Sequence, residues 1–168
     1  AEVRRVPRLR ETEERPAESV GEALLAGLSC SARPCVLILC AMRHEPAGRS
    51  ERVAELALRY RGHGNGRGAC VVGFDLAGPE AGFPASGHAR ALARVRDAGL
   101  GLTLHAGEAD APERVLEAAA LGATRIGHGV RLGDWLASAE LHDRERLAEV
   151  RARRLHLELC PSSNVHTG

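Results

Sequence analysis

The feature that most constrains this chain is a regular alternation of short strand-like runs with longer amphipathic ones. The strand-like runs are AEVRR (1–5), CVLILCA (35–41), ACVVGFD (69–75), LGLTLH (100–105), TRIGH (124–128) and LHLEL (155–159). Helical periodicity between them predicts helices over 17–28, 49–62, 86–99, 111–122 and a longer one within 132–153. Ser50 and Ser86 read as N-caps, Pro112 suits a first helical turn, and Gly99 and Gly122 suit helix ends. Val53, Leu56 and Tyr60 share one helical face, and Val115, Leu116 and Ala119 share another. Strands regularly separated by helices imply βα units and a parallel sheet. Two architectures satisfy that pattern, an open doubly wound sheet and a (β/α)8 barrel. In both, function gathers at the carboxyl ends of the strands.

The chain has 168 residues, enough for a single domain with a sizeable core. A net charge of +1 gives no electrostatic footprint for nucleic acid. All 23 basic residues are arginine, which reflects GC-rich coding and not a function. No apolar run approaches the ~20 residues that span a bilayer. The N-terminal AEVRRVPRLR lacks the layout of a secretory signal. The expectation is a soluble, cytoplasmic protein without a membrane or nucleic-acid partner. Five cysteines, at 30, 35, 40, 70 and 160, form no C-x-x-C pair, which argues against a disulfide framework and a zinc ribbon. Cys40, Cys70 and Cys160 sit in or beside apolar runs, where buried reduced cysteine is common.

One motif suggests a nucleotide loop. GNGRGA (64–69) formally fits G-x-G-x-x-G/A, but that fingerprint must follow a strand and open a helix. Here it follows a helix and opens a strand, so no helix N-terminus is available to hold a pyrophosphate. A plain loop is the expected reading.

Polar residues cluster instead at the strand ends: CAMRHE (40–45), FDLAGPE (74–80), HAGE (105–108), GHG (127–129) and CPSSN (160–164). Any one of them could be a turn. Together they would converge on one mouth of the sheet, with glycines beside His105 and His128 leaving room for a ligand at the backbone.

At this point the residues resemble a known family. VVGFDLAGPE, LTLHAGE, RIGHGVRL and LELCPSSNVHTG, in that order and spacing, look like the adenosine deaminase family of the amidohydrolase superfamily. VLILCAMRH is similar to the preceding strand of that family, and AEVRRVPRLR to a divergent form of the strand before it. The resemblance implies a (β/α)8 barrel, of which the chain would cover about strands 2 to 7. It also implies one catalytic Zn2+ and hydrolytic deamination of adenosine or a related adenine-bearing compound to the 6-oxo purine and ammonia. His105 would be a zinc ligand, and Glu108 the acid that protonates a purine ring nitrogen. His128 would orient the attacking hydroxide, the Gly78 backbone would donate to another ring nitrogen, and Asp75 would brace the site. The chemistry is coherent: zinc lowers the pKa of bound water toward ~7, and a carboxylic acid in a closed pocket can stay protonated and donate.

The chain departs from the family pattern in specific places. The superfamily's first strand carries an H-x-H zinc pair, and no two of this chain's eight histidines are two residues apart. The metal-binding aspartate of the last strand has no counterpart before Gly168, and SSNVHTG breaks off inside a motif. RRVP (4–7) stands where the family has an aromatic followed by Ser-Pro. The expectation is a single partial barrel domain over 1–168 that lacks the first and last strands, binds zinc poorly as written and exposes two sheet edges. The runner-up reading is a non-catalytic or truncated relative that has lost its metal site.

Overall fold

A computed structural model of the chain describes residues 17–62 and 70–167. AEVRR and GNGRGA lie outside the described residues. Among those described, the elements run α1 (Ala17–Ser29), β1 (Val36–Met42), α2 (Ala47–Arg59), β2 (Cys70–Ala77), α3 (Ala89–Asp97) and β3 (Gly101–Ala106). They continue with α4 (Glu113–Ala120), β4 (Arg125–His128), α5 (Leu132–Ala137), α6 (Leu141–Ala152), β5 (His156–Glu158) and α7 (Pro161–Thr167). A 3-10 turn at Ala85–His88 leads into α3.

All five strands are parallel and pair in the order β1-β2-β3-β4-β5. That order decides between the two architectures. A doubly wound sheet reverses its strand order and takes helices on both faces. Sequential addition, with crossovers of one hand, lays the helices on one face only, as in a (β/α)8 barrel. Burial follows the same rule. On β1, Leu37, Leu39 and Ala41 pack into the core, while Val36, Ile38 and Met42 on the other face stay 59%, 49% and 38% exposed. Phe74, Leu76, Leu102, Leu104 and Ile126 form the continuous apolar floor beneath the helices. Ala54 and Ala57 of α2, Leu92 and Val95 of α3, and Val115 and Ala118 of α4 cover it. The opposite face carries the polar strand residues: Cys40, Asp75, Thr103, Arg125 and His156 align in one cross-strand row. One pleat further, His105, Gly127 and Glu158 form the next. This is the face that a barrel turns inward.

Several local expectations need correction. Ser50 is not an N-cap: α2 starts at Ala47 behind Pro46, and Ser50 lies inside the helix, fully buried. Its hydroxyl sits 2.6 Å from His88 Nδ1, so a buried partner, and not a helix end, uses its polarity. Ser86 falls within the 3-10 turn, where its backbone N–H donates to Glu117 Oε1 at 3.0 Å. The single helix expected within 132–153 is two, because Ser138 turns extended (φ −73°, ψ 142°) and ends α5. The break lets Trp135 bury itself, with the Arg146 guanidinium 5.6 Å above its ring. Cys40 opens onto the inner face instead of the core. Gly99 (φ 77°) and Gly122 (φ 101°) do end α3 and α4, and a Cβ at Gly122 would come within 2.7 Å of Arg96 Cδ. No described helix is long and apolar enough to cross a membrane.

The two faces predict different mutational costs. Leu104→Ala, at 0% exposure, should lower unfolding free energy by about 2–5 kcal/mol. Ile38→Ala, half exposed, should cost under about 1 kcal/mol. Urea unfolding followed by circular dichroism compares them; equal losses would contradict the one-sided core.

Candidate active site

Three successive strands deliver the polar cluster. β2 carries Asp75, β3 carries His105 one residue before its end, and β4 ends in His128. Asp75 Oδ1 accepts from His105 Nδ1 at 3.0 Å. Burial opposes charge on the His105 ring, but the bond to Asp75, its charge and that of Glu108 outweigh it, so the pKa lies above the ordinary histidine value. In the neutral ring, a proton held at Nδ1 by Asp75 leaves Nε2 as the lone pair. The His105 and His128 rings lie 5.2 Å apart, centroid to centroid.

Small residues make this closeness feasible. A Cβ on Gly127 would come within 3.2 Å of His105 Cγ, so glycine there lets the His105 ring lie against the strand without displacement. His128 itself adopts φ 70°, a left-handed backbone that β-strand ends rarely impose on a side-chain-bearing residue. That conformation accompanies a defined pair of contacts. The Asn164 amide, from the middle of α7, donates to His128 Nδ1 at 3.1 Å. His128 Nε2 then faces Glu108 Oε2 at 3.4 Å. The His128 side chain is 5% exposed and that of Glu108 17%.

Glu108 sits on the turn after β3. Gly107 enters that turn at φ 65°, and its carbonyl accepts from Arg131 N–H at 2.8 Å. Beneath the turn lie two buried charges that the residue pattern did not single out. Glu80 is 4% exposed and accepts the backbone N–H groups of Gly107, Glu108, Ala109 and Asp110 at 2.6, 2.9, 2.9 and 3.2 Å. Arg43, 3% exposed, donates to the carbonyl oxygens of His105, Leu76 and Phe83. Burial pulls its guanidinium below the usual range, against the opposing charges of Glu80 and Asp75. Behind Arg43, His88 Nε2–H donates to the Arg43 carbonyl at 2.9 Å, while Nδ1 accepts from Ser50. Gly78, at the end of β2, has φ 103°, and a Cβ there would come within 3.0 Å of His44 Nδ1.

The structure therefore brings Asp75, His105, Glu108 and His128 together, with Gly78 at the neighbouring strand end. The signals for the missed residues were present: Glu80 closes FDLAGPE, Arg43 lies in CAMRHE and Asn164 in CPSSN.

This arrangement is that of a family. The family model for adenosine deaminase matches residues 1–168. The chain belongs to the adenosine deaminase family. It is 42% identical to an adenosine deaminase of Mycobacterium marinum, over 100% of this chain and 48% of that protein. Among solved structures it is similar to an adenine deaminase from Arthrobacter aurescens, with 29% identity and TM-score 0.62 over 79% of this chain and 36% of that one. It is also similar to an Arabidopsis N6-mAMP deaminase, with 25% identity and TM-score 0.69 over 94% of this chain and 46% of that one. An amidohydrolase from Burkholderia ambifaria with bound Zn shares the fold, with 16% identity and TM-score 0.63 over 92% of this chain and 50% of that one. The chain spans about half the length of the curated relatives it matches.

A metal can be tested against the donors present. The Asp75–His105 pair is the carboxylate–histidine arrangement that fixes a metal-binding imidazole. His105 Nε2 thus fits as one ligand. Among the described residues, no three His, Cys, Asp or Glu side chains form a metal-holding group. A catalytic zinc takes three protein ligands, so these residues account for part of such a set.

The turn continues into α4 through a charged cluster. The Asp110 carboxylate is held below its ordinary value by the Ala111 N–H first and, against some burial, by Arg114. At Glu117 burial pushes upward, but bonds from Arg114 and Ser86 win and the net shift is downward. A carboxylate with a depressed folded pKa stabilises above its unfolded pKa, and that stability is lost as pH falls through the folded value. Arg114→Ala should therefore lower the melting temperature at pH 7, and by less in acid strong enough to take both carboxylates through their depressed pKa values. An equal drop at both pH values would contradict the linkage.

Proposed function

We propose that the protein carrying this chain is a zinc-dependent aminohydrolase that deaminates an adenine-bearing compound to its 6-oxo purine and ammonia. The observation that carries this reading is the convergence of two pairs at one sheet mouth: His105 oriented by Asp75, and Glu108 facing His128. The adenosine, adenine and N6-mAMP deaminases that it resembles act, by their names, on compounds sharing one ring system. That supports the adenine ring as the common substrate element, from free base to nucleoside or nucleotide. We read the chain as part of such a barrel, its strands 2 to 7 of 8; the five parallel strands added in chain order and the coverage of about half of the relatives fit a partial barrel. The free cysteines among the described residues accord with a reducing, cytoplasmic setting.

In this mechanism His105, held by Asp75, supplies one zinc ligand. Zinc, when bound, supplies a nucleophilic oxygen at neutral pH. Glu108 donates a proton to a purine ring nitrogen, which drains electron density from the amine-bearing carbon and opens it to attack. His128 is held between Asn164 at Nδ1 and Glu108 at Nε2, and its Nε2–H would orient an attacking oxygen beside Glu108. The Gly78 backbone, held free of a side chain by the crowding of His44, donates to a second ring nitrogen. A proton given up by the attacking water would pass to the amine, and the carbon–nitrogen bond would then break to release ammonia and leave the 6-oxo group.

Glu108→Gln keeps the shape of the side chain but cannot give up a proton in the same way. It should lower kcat on the order of 10²–10⁴-fold in the full-length protein while bound zinc, measured by elemental analysis, stays stoichiometric. His105→Ala should instead lose the metal. Full activity in Glu108→Gln would refute the acid assignment, and a parent protein with neither zinc nor turnover would mark a non-catalytic relative.

A further inference from the structure

Glu80 is a carboxylate sealed from water, and a charge is seldom buried without tight pairing. Its partners are four consecutive backbone amides, Gly107 through Asp110. Four N–H groups turned toward one point form a concavity of the kind that elsewhere captures a free anion. Here the chain fills it with its own side chain, reaching 27 residues across from the end of β2 to the turn after β3. Gly107 makes the concavity feasible: its φ of 65° turns the amides inward, and a Cβ there would come within 2.9 Å of Val115 Cγ2. Arg43 holds the other side of the same turn through the His105 carbonyl. The Glu108 carboxylate reaches His128 only across 3.4 Å, so its aim is set from below, by the backbone on which it stands.

We propose that Glu80 is the positioning residue of the acid-bearing turn, a buried carboxylate that locks the amides of 107–110 and thereby aims Glu108 at the reacting ring. The proposal rests on the reading of Glu108 as the proton donor. Glu80 touches neither substrate nor metal in this scheme. It acts through geometry, where a displacement of about 1 Å can cost on the order of 10²-fold in rate. A neutral glutamine could not replace it. Its single carbonyl oxygen accepts on one side, while its NH2 group would face amide donors on the other.

The test uses the zinc-loaded full-length protein, with Glu80→Gln, Glu80→Asp and, as a control for lost stability, Val150→Ala in α6. Glu80→Gln should lower kcat on the order of 10²-fold with KM near that of the parent. The amides of 107–110 should exchange with deuterium about tenfold faster or more. Glu80→Asp, which keeps the charge on a shorter stem, should recover part of both. Val150→Ala should lower the melting temperature and leave kcat unchanged. Parent-like kcat and amide protection in Glu80→Gln would overturn the proposal, as would a kcat loss that Val150→Ala reproduces at equal melting temperature. A parent that binds zinc but deaminates no adenine compound would defeat the proposed function instead. In that case, unchanged exchange in Glu80→Gln would still overturn the anchoring of the turn, and faster exchange would support it.

Discussion

Every feature of the candidate site depends on the parallel, sequential pairing of β1 to β5. Parallel strands added in chain order present all their carboxyl ends at one rim, and the helices that return the chain cover one face. The pleat then divides the work. Leu39, Phe74, Leu76, Leu102, Leu104 and Ile126 point under the helices, whereas Cys40, Asp75, His105, Arg125 and Glu158 project from the other face. A one-residue slip of any strand would exchange the two sets and put carboxylates into the apolar floor. The burial of that floor therefore specifies the site register as well as the stability.

Beneath the rim lies a second, polar layer. Ser50, His88 and Arg43 form a relay of buried contacts from α2 to the His105 carbonyl, and Glu80 secures the turn that follows. Such groups are costly to bury unless they are bonded, and here they are bonded chiefly to backbone, Arg43 Nε being left without a partner among the described residues. The result is a loop with Glu108 at its tip whose shape is fixed by side chains from two other strand ends.

Much of this was legible in the residues. The strand positions followed from apolar runs, and the rim from the polar residue ending each run. Asp75, His105, Glu108 and His128 take their roles from the resemblance of FDLAG, HAGE and GHG to the adenosine deaminase family, while the glycines near His105 and His128 add only that a ligand could approach the backbone there. The failures share one cause. Ser50 looked like a cap because local pattern cannot reveal a partner 38 residues away, His88 on the 3-10 turn. Glu80 looked like a turn residue because its four partners are backbone amides, which leave no trace in residue identity. The helix over 132–153 kept its periodicity across Ser138, where burial of Trp135 favoured a break over one more turn. The choice between barrel and open sheet needed strand order, which periodicity does not encode.

The central claim is that this rim hydrolyses the amine of an adenine ring. The most direct measurement follows the ultraviolet absorbance change from 6-amino to 6-oxo purine with the zinc-loaded full-length protein. The panel should hold free adenine, adenosine, deoxyadenosine and adenine nucleotides with and without an N6-methyl group. The account predicts saturable turnover of at least one of them with stoichiometric release of the amine. A zinc-bound, folded protein that leaves the whole panel unchanged would contradict it.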